Sequence, residues 1–255
     1  MPRYLISIGV LIIIVAATLV LAVVKIISFV WVAAALAIAF AAISIGAFRI
    51  DLNLFIKAKN KFHKKNTVAL TFDDGPLPGH TDKLLDLLRQ QNVKATFFFI
   101  GQRVDQNPEL VARVLKEGHI IGGHSYWHKW NFGFQRASKV AEEISLTSEK
   151  IKSIIGFAPR FFRPPFGVTN PSIAKAVSKA NVVTIGWSVR SLDTITKSEN
   201  TLMNRIRKTN GGDIILFHDY CDVTLKILPR FIAELKERGI KFETLDKFLD
   251  EKAYA

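Results

Sequence analysis

Two adjacent carboxylates, Asp73 and Asp74, close an apolar run in the stretch TFDDGP, and a second stretch, HSYWH, sets His124 and His128 four residues apart. Carboxylates and imidazoles are metal donors, and a catalytic metal site commonly uses three protein ligands, leaving open positions for water and substrate. On a helical turn, the four-residue spacing points both imidazoles the same way. A third donor is then required. Taken alone, Asp-Asp-Gly-Pro also reads as a turn, and with six histidines in 255 residues such a pair also arises by chance.

Three further clusters carry polar groups. In RPPFG, Arg163 brings a permanent charge able to grip a carboxylate in a forked geometry. The Pro164, Pro165, Phe166 and Gly167 that follow fix a loop whose backbone amides can approach a ligand. In ILFHD, His218 ends a strongly apolar strand. In WSVRSLDT, Asp193 stands in a Ser/Thr-rich loop, where it forms a turn or orients His218 and favours its cation. Each cluster also has a plain structural reading, as connector, cap or turn.

The elements that must position these residues are legible as alternating patterns. Short apolar runs predict strands at 68–72, 95–100, 119–122, 160–163, 182–185, 214–217 and 241–243. Amphipathic stretches predict helices at 81–91, 108–117, 137–155, 171–180, 199–208 and 223–238. Strand–helix alternation implies a mainly parallel sheet, and seven such units point to an α/β fold, a distorted, incomplete (β/α) barrel. The polar clusters follow the strand ends, where such a barrel puts its active site.

Ahead of this domain lies material for a different solvent. Residues 4–24 and 26–48 carry no charge, and Lys25 alone separates them. About 20 apolar residues cross a bilayer core, so residues 1–48 predict a transmembrane helical hairpin turning at Lys25. A cleaved signal peptide is the alternative, but its apolar core runs to only about 7–15 residues. Residues 49–66 alternate lysines with apolar side chains and read as a basic juxtamembrane linker, or as an interfacial segment on lipid headgroups, leaving 67–255 as the catalytic domain. All 22 acidic residues and 33 of the 35 basic ones lie beyond position 48, a surplus of 11. That charge suits an anionic envelope; no zinc finger, RNA-recognition signature or aromatic-basic interleaving points to nucleic acid. Cys221 is the only cysteine, so no internal disulfide forms. The oligomeric state is left open.

Taken in order, the five clusters resemble the polysaccharide deacetylase family, the NodB-like carbohydrate esterases. The resemblance runs over residues 67–248 and includes the flanking text VALTFDDGP, VKATFFFIG and GHIIGGH. It implies a metal-dependent hydrolase that removes N-acetyl groups from an amino-sugar polymer such as peptidoglycan. One divalent metal, commonly zinc, would be held by Asp74, His124 and His128. Asp73 would be the general base, oriented by Arg163, and His218 the general acid, tuned by Asp193. The loop with Pro164, Phe166 and Gly167 would meet the substrate and supply a backbone N–H to the oxyanion. Trp187 and Leu216 would line the acetyl pocket.

Two positions depart from the family pattern: Arg190 stands where many members carry Asp, and Thr194 where many carry an aromatic. A cation at the groove edge suits an anionic or lipid-phosphate-linked glycan. A catalytically inactive, membrane-tethered glycan-binding module and a hydrolase of a small amide, such as a cyclic ureide, are the alternatives. The intact acid, base and ligand positions argue against the first, and the anchor against the second. Two spans return the chain to its starting side. The basic flank favours the cytoplasmic side, whereas a wall polymer favours the extracytoplasmic one.

Overall fold

A computed structural model describes residues 3–255. Helices α1 (Arg3–Val23) and α2 (Phe29–Phe48) pack against one another across a turn in which Lys25 takes a left-handed conformation, φ 61°. Ser28 caps α2 by accepting the Val30 N–H, so α2 starts three residues later than the apolar run suggests. Both helices are long and apolar enough to cross a membrane, and their apolar windows are only 6% and 11% buried. A soluble core helix would hide such a surface.

Eight short strands follow: β1 (Thr67–Asp73), β2 (Thr96–Phe99), β3 (Ile120–Gly123), β4 (Phe161–Phe162), β5 (Val183–Thr184), β6 (Val189–Arg190), β7 (Ile214–His218) and β8 (Lys241–Phe242). Seven run in the order β5-β4-β3-β2-β1-β7-β6, every pair parallel, and β8 joins the start of β1 through Thr67 and Val68. The sheet edges, β5 and β6, are joined by only four residues, 185–188, so the sheet must curl until its edges lie side by side. The result is the incomplete (β/α) barrel that the alternating pattern implies.

Helices α3 (Thr81–Gln90), α5 (Pro108–Lys116), α6 (Ala137–Ile155), α7 (Pro171–Ala180), α8 (Glu199–Ile206) and α9 (Asp222–Glu237) lie where the amphipathic stretches put them. Short α4 (Gly101–Gln106), α10 (Leu245–Leu249) and β6 were not foreseen, being too short to show a period. Side chains of β1 divide between two cores. Val68, Leu70 and Phe72 join the apolar layer beneath the helices, where Phe72 stacks on Phe97 and Phe217 at 5.4 and 5.8 Å. Ala69 faces the other core, with Phe98, Phe161, Ile185 and Phe248. By the same alternation Thr71 and Asp73 share Ala69's face, toward the barrel axis.

Residues 49–66, expected as a linker or a headgroup-facing segment, are instead tied into the barrel. Ile50, Phe55, Ile56 and Ala58 are buried. Lys59 bonds Thr184 and Gly186, and Phe62 bonds Gly212, at 2.9–3.0 Å, so the stretch seals the seam between the open edges. Its alternating apolar side chains fit a barrel wall as well as they fit a lipid surface.

Candidate active site

Asp73 and Asp74 end β1, and both must face the same pocket. Alternation on a strand would send them to opposite faces. Asp74 escapes it by a left-handed backbone, φ 76°, held by its N–H donating to Phe98 O at 3.1 Å and by the Arg103 guanidinium donating to its carbonyl. Gly75 follows where a Cβ would collide with the Asp219 carboxylate and the Phe99 ring.

His124 leaves β3 with its N–H bonded to Phe99 O at 2.9 Å. The chain then runs as an irregular loop, with Ser125 at φ 60° and His128 at φ 49°, and not as the helical turn that the four-residue spacing suggested. The buried carboxylate of Glu143, from α6, organises this loop. It accepts the Tyr126 and Trp127 N–H groups at 3.2 and 3.1 Å and the Gln135 amide at 2.9 Å. The two imidazoles still meet, with centroids 4.9 Å apart, and Phe166 packs on His128 at 4.8 Å.

Asp74 Oδ1 lies 3.3 Å from Nε2 of both histidines, and the three donor atoms lie within 4.8 Å of one another. That oxygen is buried and accepts no hydrogen bond. His124 Nδ1 donates to Arg163 O at 2.7 Å, which leaves Nε2 with its lone pair facing Asp74. Burial and the charge of His124 pull His128 down to about 4, so its ring is neutral near pH 7. Burial pushes the Asp74 carboxyl up, but His124, His128 and His218 outweigh it and hold it well below the usual carboxylate range. A carboxylate oxygen that accepts no hydrogen bond, held ionised and 3.3 Å from the Nε2 atoms of two imidazoles, fits a divalent cation.

On one side of this donor set stands Asp73. Arg163, wholly buried, donates through Nη1 to Asp73 Oδ1 at 2.6 Å and to Thr71 at 2.9 Å. Its remaining nitrogens bond the carbonyls of Ile185 and Gly186, and the guanidinium lies 4.2 Å from the Phe98 ring centroid. Asp73 Oδ2 is thereby left 3.9 Å from His124 Nε2.

On the other side is His218. Its Nδ1 donates to Asp193 Oδ1 at 2.8 Å, and its N–H to Asp193 Oδ2 at 2.8 Å. Ser191 and Thr224 hydroxyls fill the rest of that carboxylate at 2.9 and 2.7 Å. Burial favours neutral imidazole, but the Asp193 hydrogen bond and charge outweigh it and raise the His218 pKa.

These groups converge on a pocket of about 350 Å³. Asp73, Asp74, His124, His128, Phe166, Gly167, Trp187, Leu216 and His218 line it, while Arg163 and Asp193 act from behind. Pro164 is buried and lies outside the lining; its carbonyl accepts the Gly167 N–H at 3.0 Å. A Cβ on Gly167 would strike the Trp187 ring. Arg103 and Tyr220 also reach the pocket, unforeseen because nothing in their local sequence marks them. A larger groove, about 1160 Å³, lies among Tyr4, Phe55 and α7, but it holds no histidine and a single carboxylate, Glu251.

The family model for polysaccharide deacetylase matches residues 60–185. A peptidoglycan-N-acetylglucosamine deacetylase of Bacillus cereus is 36% identical over 188 residues, 72% of this chain and 68% of that protein. The chain belongs to the polysaccharide deacetylase family. Peptidoglycan-N-acetylglucosamine deacetylase PgdA of Listeria monocytogenes is also 36% identical, over 76% of this chain but only 41% of its own length. A solved peptidoglycan N-acetylglucosamine deacetylase shares the fold with a TM-score of 0.73 at 34% identity, covering 78% of this chain and 94% of that one. Trp187, Asp193 and His218 of this polysaccharide deacetylase lie beyond the stretch matched by the family model, and their place in the site rests on the geometry above.

Proposed function

We propose that the chain is a membrane-anchored N-deacetylase that hydrolyses the acetamide of an amino-sugar glycan such as peptidoglycan, using one divalent metal held by Asp74, His124 and His128. Zinc suits one carboxylate and two imidazoles. The observation that carries this reading is a single juxtaposition: the donor set lies between an Arg163-bound carboxylate and an Asp193-bound imidazole, all within one pocket.

A divalent cation in such a site supplies Lewis acidity to a carbonyl oxygen and makes a water more acidic. Asp73 is the general base: Arg163 fixes one oxygen and leaves the other toward the donor set, ready to take a proton from water. His218 is the general acid. Its Nδ1–H is committed to Asp193 and its cation is favoured, so Nε2–H delivers the proton that an amine needs to leave. Pro164 and Pro165 have no N–H and the Gly167 N–H is taken, so Phe166 is the residue of that loop left to offer a backbone donor to the developing oxyanion. Leu216 and Trp187 enclose the acetyl methyl.

Helices α1 and α2 anchor the domain, supported by their length and their unburied apolar surface. A wall substrate sets the domain on the outer face, against the charge of residues 49–65; a topology reporter fused after Ala255 reads the side directly. The activity is tested by acetate release from N-acetylated oligosaccharides and wall glycan by the full chain, with and without chelator. Release that stops with chelator and returns with zinc is expected. No release from any acetylated amino-sugar glycan would sink the proposal.

A further inference from the structure

A second groove, about 540 Å³, adjoins the active-site pocket, and Trp187 and Arg190 line both. Phe48 and Arg49, where α2 stops, also line it. Arg49, Lys61, Arg190 and Arg205 line this groove, and Asp51 is the one carboxylate that does. Asp51 is engaged by Arg49 at 2.7 Å. Lys61 pairs at 3.0 Å with Asp213, which does not line the groove. Among the described residues Arg190 and Arg205 form no ion pair. Arg205 Nε donates to Arg190 O at 2.8 Å, which binds the two residues together, and the Arg190 guanidinium lies 5.6 Å from the Trp187 ring centroid.

The groove is also fixed relative to the second span. Thr169, two residues past the Phe166–Gly167 wall of the pocket, donates its N–H to Ala47 O at 2.8 Å and its hydroxyl to Gly46 O at 3.3 Å. Those carbonyls belong to the last turn of α2, which has no helical partners for them. The pocket wall is thus built onto the membrane end of the anchor.

We infer that the glycan is presented on a lipid phosphate: the substrate is an N-acetyl amino sugar esterified to a membrane-embedded lipid through phosphate or pyrophosphate. This rests on the deacetylase reading and on the two spans, and it adds the substrate's carrier. With the acetamide between Asp73 and His218, the adjoining groove receives the phosphate. Guanidinium groups match phosphate oxygens in a fork, and two of them here are not neutralised. The lipid leaves past Phe48, which is 66% exposed at the end of a span. An amino-sugar polymer free of its carrier has no phosphate in its own repeat for this groove to bind. In the reaction the amide C–N bond breaks, hydroxyl from water joins the acetyl carbon, and the amine nitrogen takes a proton. Acetate leaves and the phosphate ester is untouched.

The test uses the full chain in lipid nanodiscs and measures acetate release from three probes. These are polyprenyl-pyrophosphate-linked N-acetylglucosamine in the same bilayer, soluble uridine-diphosphate N-acetylglucosamine, and chitotetraose. The lipid-linked probe is expected to exceed both soluble ones at least tenfold in kcat/KM. Its ratio to chitotetraose is expected to fall at least fivefold in Arg190→Gln and, separately, in Arg205→Gln. Equal turnover of chitotetraose, or a ratio that both variants leave unchanged, overturns the inference while the deacetylase reading stands. Equal turnover of the nucleotide sugar overturns the lipid carrier. No turnover of any probe removes the deacetylase reading, and this inference with it.

Discussion

Asp73 and Asp74 are neighbours of the same type, yet the fold sets them against different partners. Asp73 follows the strand alternation and meets Arg163, while Asp74 is swung by its left-handed backbone onto the two histidines. Asp73→Asn is therefore expected to lose about 10²–10⁴-fold in turnover, the usual worth of a positioned acid or base, with metal content intact. Asp74→Asn is expected to lose the metal itself. Metal analysis beside acetate release separates the two, and an Asp74→Asn protein with full metal and activity would show the ligand assignment to be wrong. His218 gives a sign that can be worked out. In the proposed mechanism its cation is the acid, so turnover is expected to fall as pH rises through its pKa, which lies above the ordinary imidazole value because Asp193 outweighs burial. Asp193→Asn removes that cause. The alkaline limb of the pH–rate profile is expected to move to lower pH, and a limb that stays in place removes Asp193 from this role.

At the scale of elements, the loop carrying His124 and His128 depends on α6. Glu143 is completely buried and accepts two backbone N–H groups and an amide from that loop. Groups behind metal ligands commonly carry about 10–100-fold in affinity, so Glu143→Ala is expected to weaken zinc by that order in a chelator competition. Its α6 helix should stay folded by circular dichroism; unchanged zinc affinity would make Glu143 a packing residue only. Nothing in the text singles out Glu143, which stands beside Glu142 in an ordinary amphipathic helix. The five clusters were legible because strand ends carry chemistry in a barrel whatever its details. The loop that turns the histidines together was not, since spacing cannot tell a helical turn from a loop pinned by a distant carboxylate. Two-residue β6 was invisible for a simpler reason: a period needs several residues to show. The site was thus readable as a set of donors, and its geometry became readable only with the packing behind it.

At the scale of the whole molecule, the boundary between the apolar helical pair and the barrel falls elsewhere than composition suggests. The charge pattern changes character at 66, but the barrel's seam is sealed by residues ahead of that point. Ile50, Phe55 and Ile56 are buried side chains, each worth about 1.5–3 kcal/mol on burial. Together they approach a typical domain's net stability of about 5–15 kcal/mol. Cutting at 66 removes them, along with the Lys59 and Phe62 backbone bonds that span β5 and the approach to β7. Cutting at 49 keeps all of these. It removes the Tyr4, Ile8, Ile43 and Ala47 contacts on the Phe55–Ile56 cluster, the approach of Leu54 to Gly46, and the two hydrogen bonds to Thr169. Residues 49–255 are therefore expected to melt cooperatively, somewhat below the full chain in detergent. Residues 66–255 are expected to lack a cooperative transition, or to melt at least about 10 °C lower, since each 1 kcal/mol moves Tm by about 2–4 °C in a domain of this size. Thermal melts of the two fragments by circular dichroism decide it: if they melt together, the seam contributes nothing to stability, and the domain begins at 66 after all.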